Sequence, residues 1–148
     1  MATITRFEDI EAWQLGRELK QLVYKCSKTG EFARDFALKD QIRRAAMSIT
    51  ANIAEGFERD GNREFIQFLS ISKGSCGELQ DHLYTALDES YVTQQQFDVL
   101  YRRATETARK VGAFMNYLNR TDIRGRKFVP PLNPAPTRNP KLETKNHR

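Results

Sequence analysis

No proline occurs before position 130, and the 148 residues include only two cysteines and two histidines. Each shortage removes a class of answer. Cys26 and Cys76 have neither CxxC pairing nor a histidine at metal-ligand spacing, so no metal site is expected. Both read as small buried hydrophobes in a reducing cytoplasm. The apolar runs are only a few residues long, too short to span a bilayer, so no membrane partner is expected. "MATITRFEDI" lacks a basic patch followed by an apolar stretch, so no secretory signal is expected and the cytoplasm is the expected location.

What is present is unevenly distributed. All five prolines lie at or after Pro130, and the net charge of +5 also belongs to the C-terminal end. From Asp122 onward, Arg124, Arg126, Lys127, Arg138, Lys141, Lys145 and Arg148 face only Asp122 and Glu143. The preceding 121 residues are balanced. This divides the chain into a body, residues 1–121, and a basic Pro-rich tail, residues 122–148, expected to be mobile because such segments bury little.

The body reads as four amphipathic helices and no strand. Thr5 and Glu8 have the capping-box form ahead of a first helix reaching about Lys28, with Leu15, Leu19, Leu22 and Cys26 on one stripe. A second helix is expected from about Ala37 to Glu55, with Leu38, Ile42, Ile49 and Ile53 on its face. Gly56 is expected to let the chain leave that helix, and Asn62 to cap the third. The third helix carries Phe65, Leu69, Cys76, Leu79 and Leu83, and its Gly74 and Gly77 suggest close packing. Thr93 with Gln96 opens the fourth, whose stripe includes Phe97, Leu100, Tyr101, Ala104, Val111 and Leu118. Short connections give an all-α, antiparallel up-down-up-down four-helix bundle carrying a flexible basic tail.

Two features fall outside the core stripes. Ile10, Trp13 and Tyr24 form a second strip on the first helix, either a wide core face or an oligomer or partner interface. Their aromatic content favours the interface. On helical wheels, Gln41, Arg44, Ser48, Asn52 and Glu55 make a polar line on the second helix. Glu64, Ser75, Glu78 and His82 make one on the third. A hairpin would bring the lines together, with Arg44 near Ser75 or Glu78. Such a seam is expected to be structural, because paired polar groups fix helix register.

Catalytic patterns do not assemble. A di-iron bundle needs two Glu-x-x-His pairs, whereas Glu78 and His82 are four apart and have no second copy. "SKGSCGEL" lacks the preceding strand and spacing of a phosphate loop. One body histidine leaves little for a Ser-His-Asp arrangement. The expectation is a protein that is not an enzyme, with no cofactor.

"FEDIEAW", "QIRRAAMSITANIAEGFER" and "EFIQFLSISKGSCGEL", with the fourth helix, resemble the 23S ribosomal-RNA intervening-sequence family over about residues 6–120. The resemblance implies a left-handed bundle, a homopentamer, a bacterial source and no known catalytic activity. Carried over, its motif residues are Arg44, Ser48, Asn52, Glu55, Gly56, Gly74, Ser75 and Glu78. A related branch resembles accessory subunits of diversity-generating retroelements, basic pentamers that bind nucleic acid and a reverse transcriptase. The balanced body here departs from that branch.

Two functions remain open. One is a non-catalytic oligomeric scaffold or binding protein for RNA or a ribonucleoprotein, with contact through Arg124, Arg126, Lys127, Arg138, Lys141 and Lys145. The other is a protein–protein adaptor, or reverse-transcriptase accessory subunit, presenting Ile10, Trp13 and Tyr24. The tail also reads as a solubilising extension.

Overall fold

Thr93 shows how the sequence starts a helix. Its Oγ1 accepts the Gln96 N–H at 3.1 Å, while Gln96 Oε1 accepts the Thr93 N–H at 2.8 Å, the expected reciprocal cap. The computed structural model describes residues 3–121, and every regular element among them is helical. A 3-10 turn at Phe7–Asp9 precedes α1 (Glu11–Ser27), α2 (Gly30–Arg34), α3 (Phe36–Glu58), α4 (Asn62–Asp88) and α5 (Gln94–Arg120). The tail, including Arg124, Arg126, Lys127, Arg138, Lys141 and Lys145, lies outside the described residues.

The four long helices close a ring in which α1 packs on α3 and α5, and α4 on α3 and α5. Cross-links fix the directions. Lys20 of α1 reaches Thr50, and Arg43 of α3 reaches back to Ser27, so α1 and α3 are antiparallel. Ser48 meets Ser75, while Gly56 lies against Phe65 and Phe68, which makes α3 and α4 antiparallel too. Asn62 at the start of α4 bonds Leu118 and Thr121 at the end of α5, and Gln80 bonds Tyr101 and Thr105. Leu19, Ile42, Ile49, Ile53, Phe65, Leu69, Leu79 and Leu83 are fully buried between the helices. Each such side chain contributes roughly 1.5–3 kcal/mol by leaving water.

Local expectations change in four places. The acid that closes the first turn is Asp9, not Glu8: its carboxylate accepts the Thr5 and Arg6 N–H groups. These bonds hold that carboxyl below its usual pKa. Only one 3-10 turn follows, because Ile10 is extended and α1 begins after it.

The break at Gly30 contains a short helix of its own, α2. Phe32 within it is buried and stacks on Tyr91 at 5.3 Å.

Gly56 does not release the chain, since α3 continues to Glu58. A Cβ there would lie 2.7 Å from Phe65 and 2.8 Å from Phe68, so its absence lets α4 approach. The turn falls at Gly61, whose φ of +89° suits glycine.

Asn62 is not an N-cap. It lies inside α4, 7% exposed, and its Nδ2 donates to the Leu118 and Thr121 carbonyls at 2.8 and 2.9 Å. It therefore satisfies the far end of another helix.

Candidate functional site

The polar seam forms where α3 and α4 meet. Ser48 Oγ and Ser75 Oγ share a hydrogen bond of 2.8 Å. Asn52 Nδ2 donates to the Ser48 carbonyl and to Ser48 Oγ at 2.8 and 2.9 Å. One turn deeper, Ser72 Oγ donates to the Ile49 carbonyl at 2.8 Å. Small hydroxyls fit this close contact, and the three serine hydroxyls each find a partner, as buried groups require.

Arg44 and Glu78, the charged residues expected to meet across the seam, do not cross it. Arg44 pairs with Asp40 on its own helix at 2.9 Å instead of reaching Ser75 or Glu78. The cause is spacing: Asp40 lies one turn away on the same exposed face. Glu78 turns to His82, 3.4 Å away, again on its own helix. Glu55 and Glu64 bind opposite sides of Arg59 at 2.8 and 3.5 Å, with the guanidinium over the Phe68 ring. Arg59 thus joins the two helices at the turn, a role the sequence reading missed. Gln41 is exposed at the other end of the line. Exposed pairs of this kind contribute little stability.

The strip on α1 divides. Ile10 is 2% exposed and packs into the core of the bundle, so it cannot be an interface anchor. Its extended backbone, just before α1, turns the side chain into the core. Trp13 stays half-buried, its ring edge-on to Phe7 at 5.3 Å and beside Arg17. Tyr24 is half-buried beneath Arg43, whose guanidinium lies 4.3 Å from the ring centre. Arg43 also donates to Ser27 Oγ and the Tyr24 carbonyl, closing the C-terminus of α1.

Cys26 and Cys76 are unpaired, and burial pushes their thiols up to about 11 and about 12. Among the described residues, no group of three or more His, Cys, Asp and Glu side chains is arranged to hold a metal ion. No described helix is long and apolar enough to cross a membrane.

The outside of α4 carries features that the helical stripes did not reveal. Ile71 is 53% exposed. Among the described residues, no atom beyond the backbone of α4 lies within 4 Å of where a Cβ would stand at Gly74 or Gly77, so neither serves the close packing within the bundle that was expected. Farther along, Tyr84 is half exposed and meets Phe97 and Tyr101 of α5. Tyr84 falls beside the core stripe of α4, so the stripe does not include it.

Comparison with solved structures finds the same fold in a crystal structure from Bacteroides thetaiotaomicron VPI-5482, described as a protein of unknown function from the S23 ribosomal protein family. The TM-score is 0.65 at 22% identity, covering 70% of this chain and 97% of that one. No curated protein matches. The family model described as 23S rRNA-intervening sequence protein matches residues 8–113, covering the seam and most of the bundle. The chain belongs to the 23S rRNA-intervening sequence protein family.

Proposed function

We propose that the protein is a non-catalytic scaffold that self-associates through its bundle and uses its basic tail to bind RNA or a ribonucleoprotein. The observation that carries the self-association is the outer face of α4, where exposed Ile71 adjoins Gly74 and Gly77. A mid-helix glycine costs about 1 kcal/mol relative to alanine. Among the described residues, no atom outside the backbone of α4 approaches either position, so a second copy would have room to pack there. Ile71 supplies the apolar contact that a subunit interface favours.

The seven Lys and Arg of the tail support the nucleic-acid part, because clustered cations bind phosphate by releasing counterions. Repeating the tail around an oligomer adds avidity without new contacts. The second reading, a protein–protein adaptor, rests on half-buried Trp13 and Tyr24.

The test compares RNA binding by the full chain and by a chain ending at Thr121, with salt titration and light-scattering mass in the same buffers. The expected result is steeply salt-dependent binding by the full chain, little by the truncated one, and the same oligomeric mass for both. Failure of both to bind would reject the nucleic-acid reading and return attention to Trp13 and Tyr24.

A further inference from the structure

Three rings in mutual contact join α4 to α5. Tyr84 lies 5.0 Å from Phe97 and 5.8 Å from Tyr101, and Phe97 lies 5.4 Å from Tyr101, centre to centre. Phe97 is buried beneath, while Tyr84 is 50% exposed. Neither tyrosine hydroxyl has a hydrogen-bond partner among the described residues. Asp81 and Asp88 flank Tyr84 at helical spacing, are exposed, and form no ion pair among the described residues. Asp98 lies three residues before Tyr101. Arg102 is the nearest opposing charge in the sequence, since Arg103 is committed to Glu18 at 3.0 Å.

This surface combines aromatic faces, unused O–H donors and carboxylates. We propose that the Tyr84–Tyr101 shelf docks the chain's own Pro130–Pro140 segment. Proline-rich chain in the polyproline II form has accepting carbonyls, few N–H groups and flat ring faces, which aromatic grooves recognise. "PPLNPAPTRNP" contains a P-x-x-P step at Pro131 and Pro134, with Arg138 inside the segment and Lys141 just beyond it to meet the carboxylates.

The reach is sufficient. Asn62 holds the Thr121 carbonyl at 2.9 Å, fixing where the tail begins. Tyr101 lies twenty residues back along α5, or about 30 Å at 1.5 Å per residue. From Thr121 to Pro134 an extended proline-type chain covers about 40 Å, leaving about 10 Å for the reversal. The docking stands independently of RNA binding by the tail, which it would position along the bundle.

The test is timed trypsin digestion of the full chain, followed by mass spectrometry. Cleavage after Arg138 is read against cleavage after Lys145, which lies beyond the docked segment. Cutting at Arg138 should be slowed about tenfold, the protection expected when about nine-tenths of the tail is docked. Tyr84→Ala and the double variant Pro131→Ala, Pro134→Ala should each remove that protection and leave Lys145 unchanged. Circular dichroism checks the fold, and Tyr84→Phe, which keeps the ring, should retain part of the effect. Equal cutting at Arg138 in all chains overturns the proposal. Protection that disappears on dilution assigns the shelf to a second copy's tail and overturns the own-chain assignment. Protection that survives the proline changes but not high salt would overturn the role of the prolines.

Discussion

Gly56 shows why one missing methyl matters. A Cβ at this position would stand 2.7 Å from the Phe65 ring and 2.8 Å from Phe68 Cβ. The ring could tilt, but Phe68 Cβ is tied to the backbone of α4 and cannot yield without moving that helix. Overpacking of this kind costs about 1–3 kcal/mol. Alanine returns about 1 kcal/mol through its better helix propensity. Gly56→Ala should therefore lower the thermal midpoint by a few degrees, read by circular dichroism. An unchanged or raised midpoint would mean that the α3–α4 approach is looser than this geometry. The motif "NIAEG" thus ends in glycine for the sake of α4, and the polar residues before it serve the turn through the Glu55–Arg59 pair.

At the scale of elements, Asp35 and Tyr91 join the start of α3 to the α4–α5 connection. Asp35 accepts the Leu38 N–H at 3.0 Å, capping α3, and also accepts the Tyr91 hydroxyl at 2.8 Å. The backbone bond, followed by the Tyr91 bond, holds the Asp35 carboxyl below its usual value. Donation to Asp35 raises Tyr91 above its own. The signs set a window. A depressed acid stabilises the fold above its unfolded pKa of about 3.9, and this contribution is lost as pH falls through its lower folded value. A raised phenol stabilises the fold below about 10, and that part is lost as pH rises through its higher folded value. Tyr91→Phe should lower the thermal midpoint near neutrality and reduce its dependence on pH at both ends. Parallel curves for the parent and variant would show that the bond contributes nothing.

This join also marks where the sequence stopped being legible. Long 3.6-residue stripes identified α1, α3, α4 and α5, and the Thr93 cap was readable because both partners lie within four residues. Phe32 and Tyr91 are separated by 59 positions, so their stacking left no local signal. The seam was readable as two polar lines. Its ion pairs were not, because a wheel shows which side chains share a face but not that Asp40 will outcompete Glu78 for Arg44.

For the whole molecule, the interior and exterior of α4 make different demands. Inside, Phe65, Leu69, Cys76, Leu79 and Leu83 are fully buried, and the Ser48–Ser75 contact fixes the register against α3. Outside, Ile71 is exposed, and Gly74 and Gly77 lie on a surface that the other described elements do not cover. Ile71→Asp is the cleanest probe, because this side chain is already 53% exposed and its loss leaves the core intact. Facing another subunit, the new carboxylate would lose water without a partner, a cost of several kcal/mol at each contact. Light scattering should then fall toward the 17.1 kDa of one chain, with helicity unchanged. Gly74→Ala separates the alternatives further. On a free face it should stabilise the helix by up to about 1 kcal/mol, whereas beneath a close-packed partner it should weaken assembly. An unchanged mass for Ile71→Asp together with a more stable Gly74→Ala would leave this face to solvent and place self-association elsewhere on the bundle.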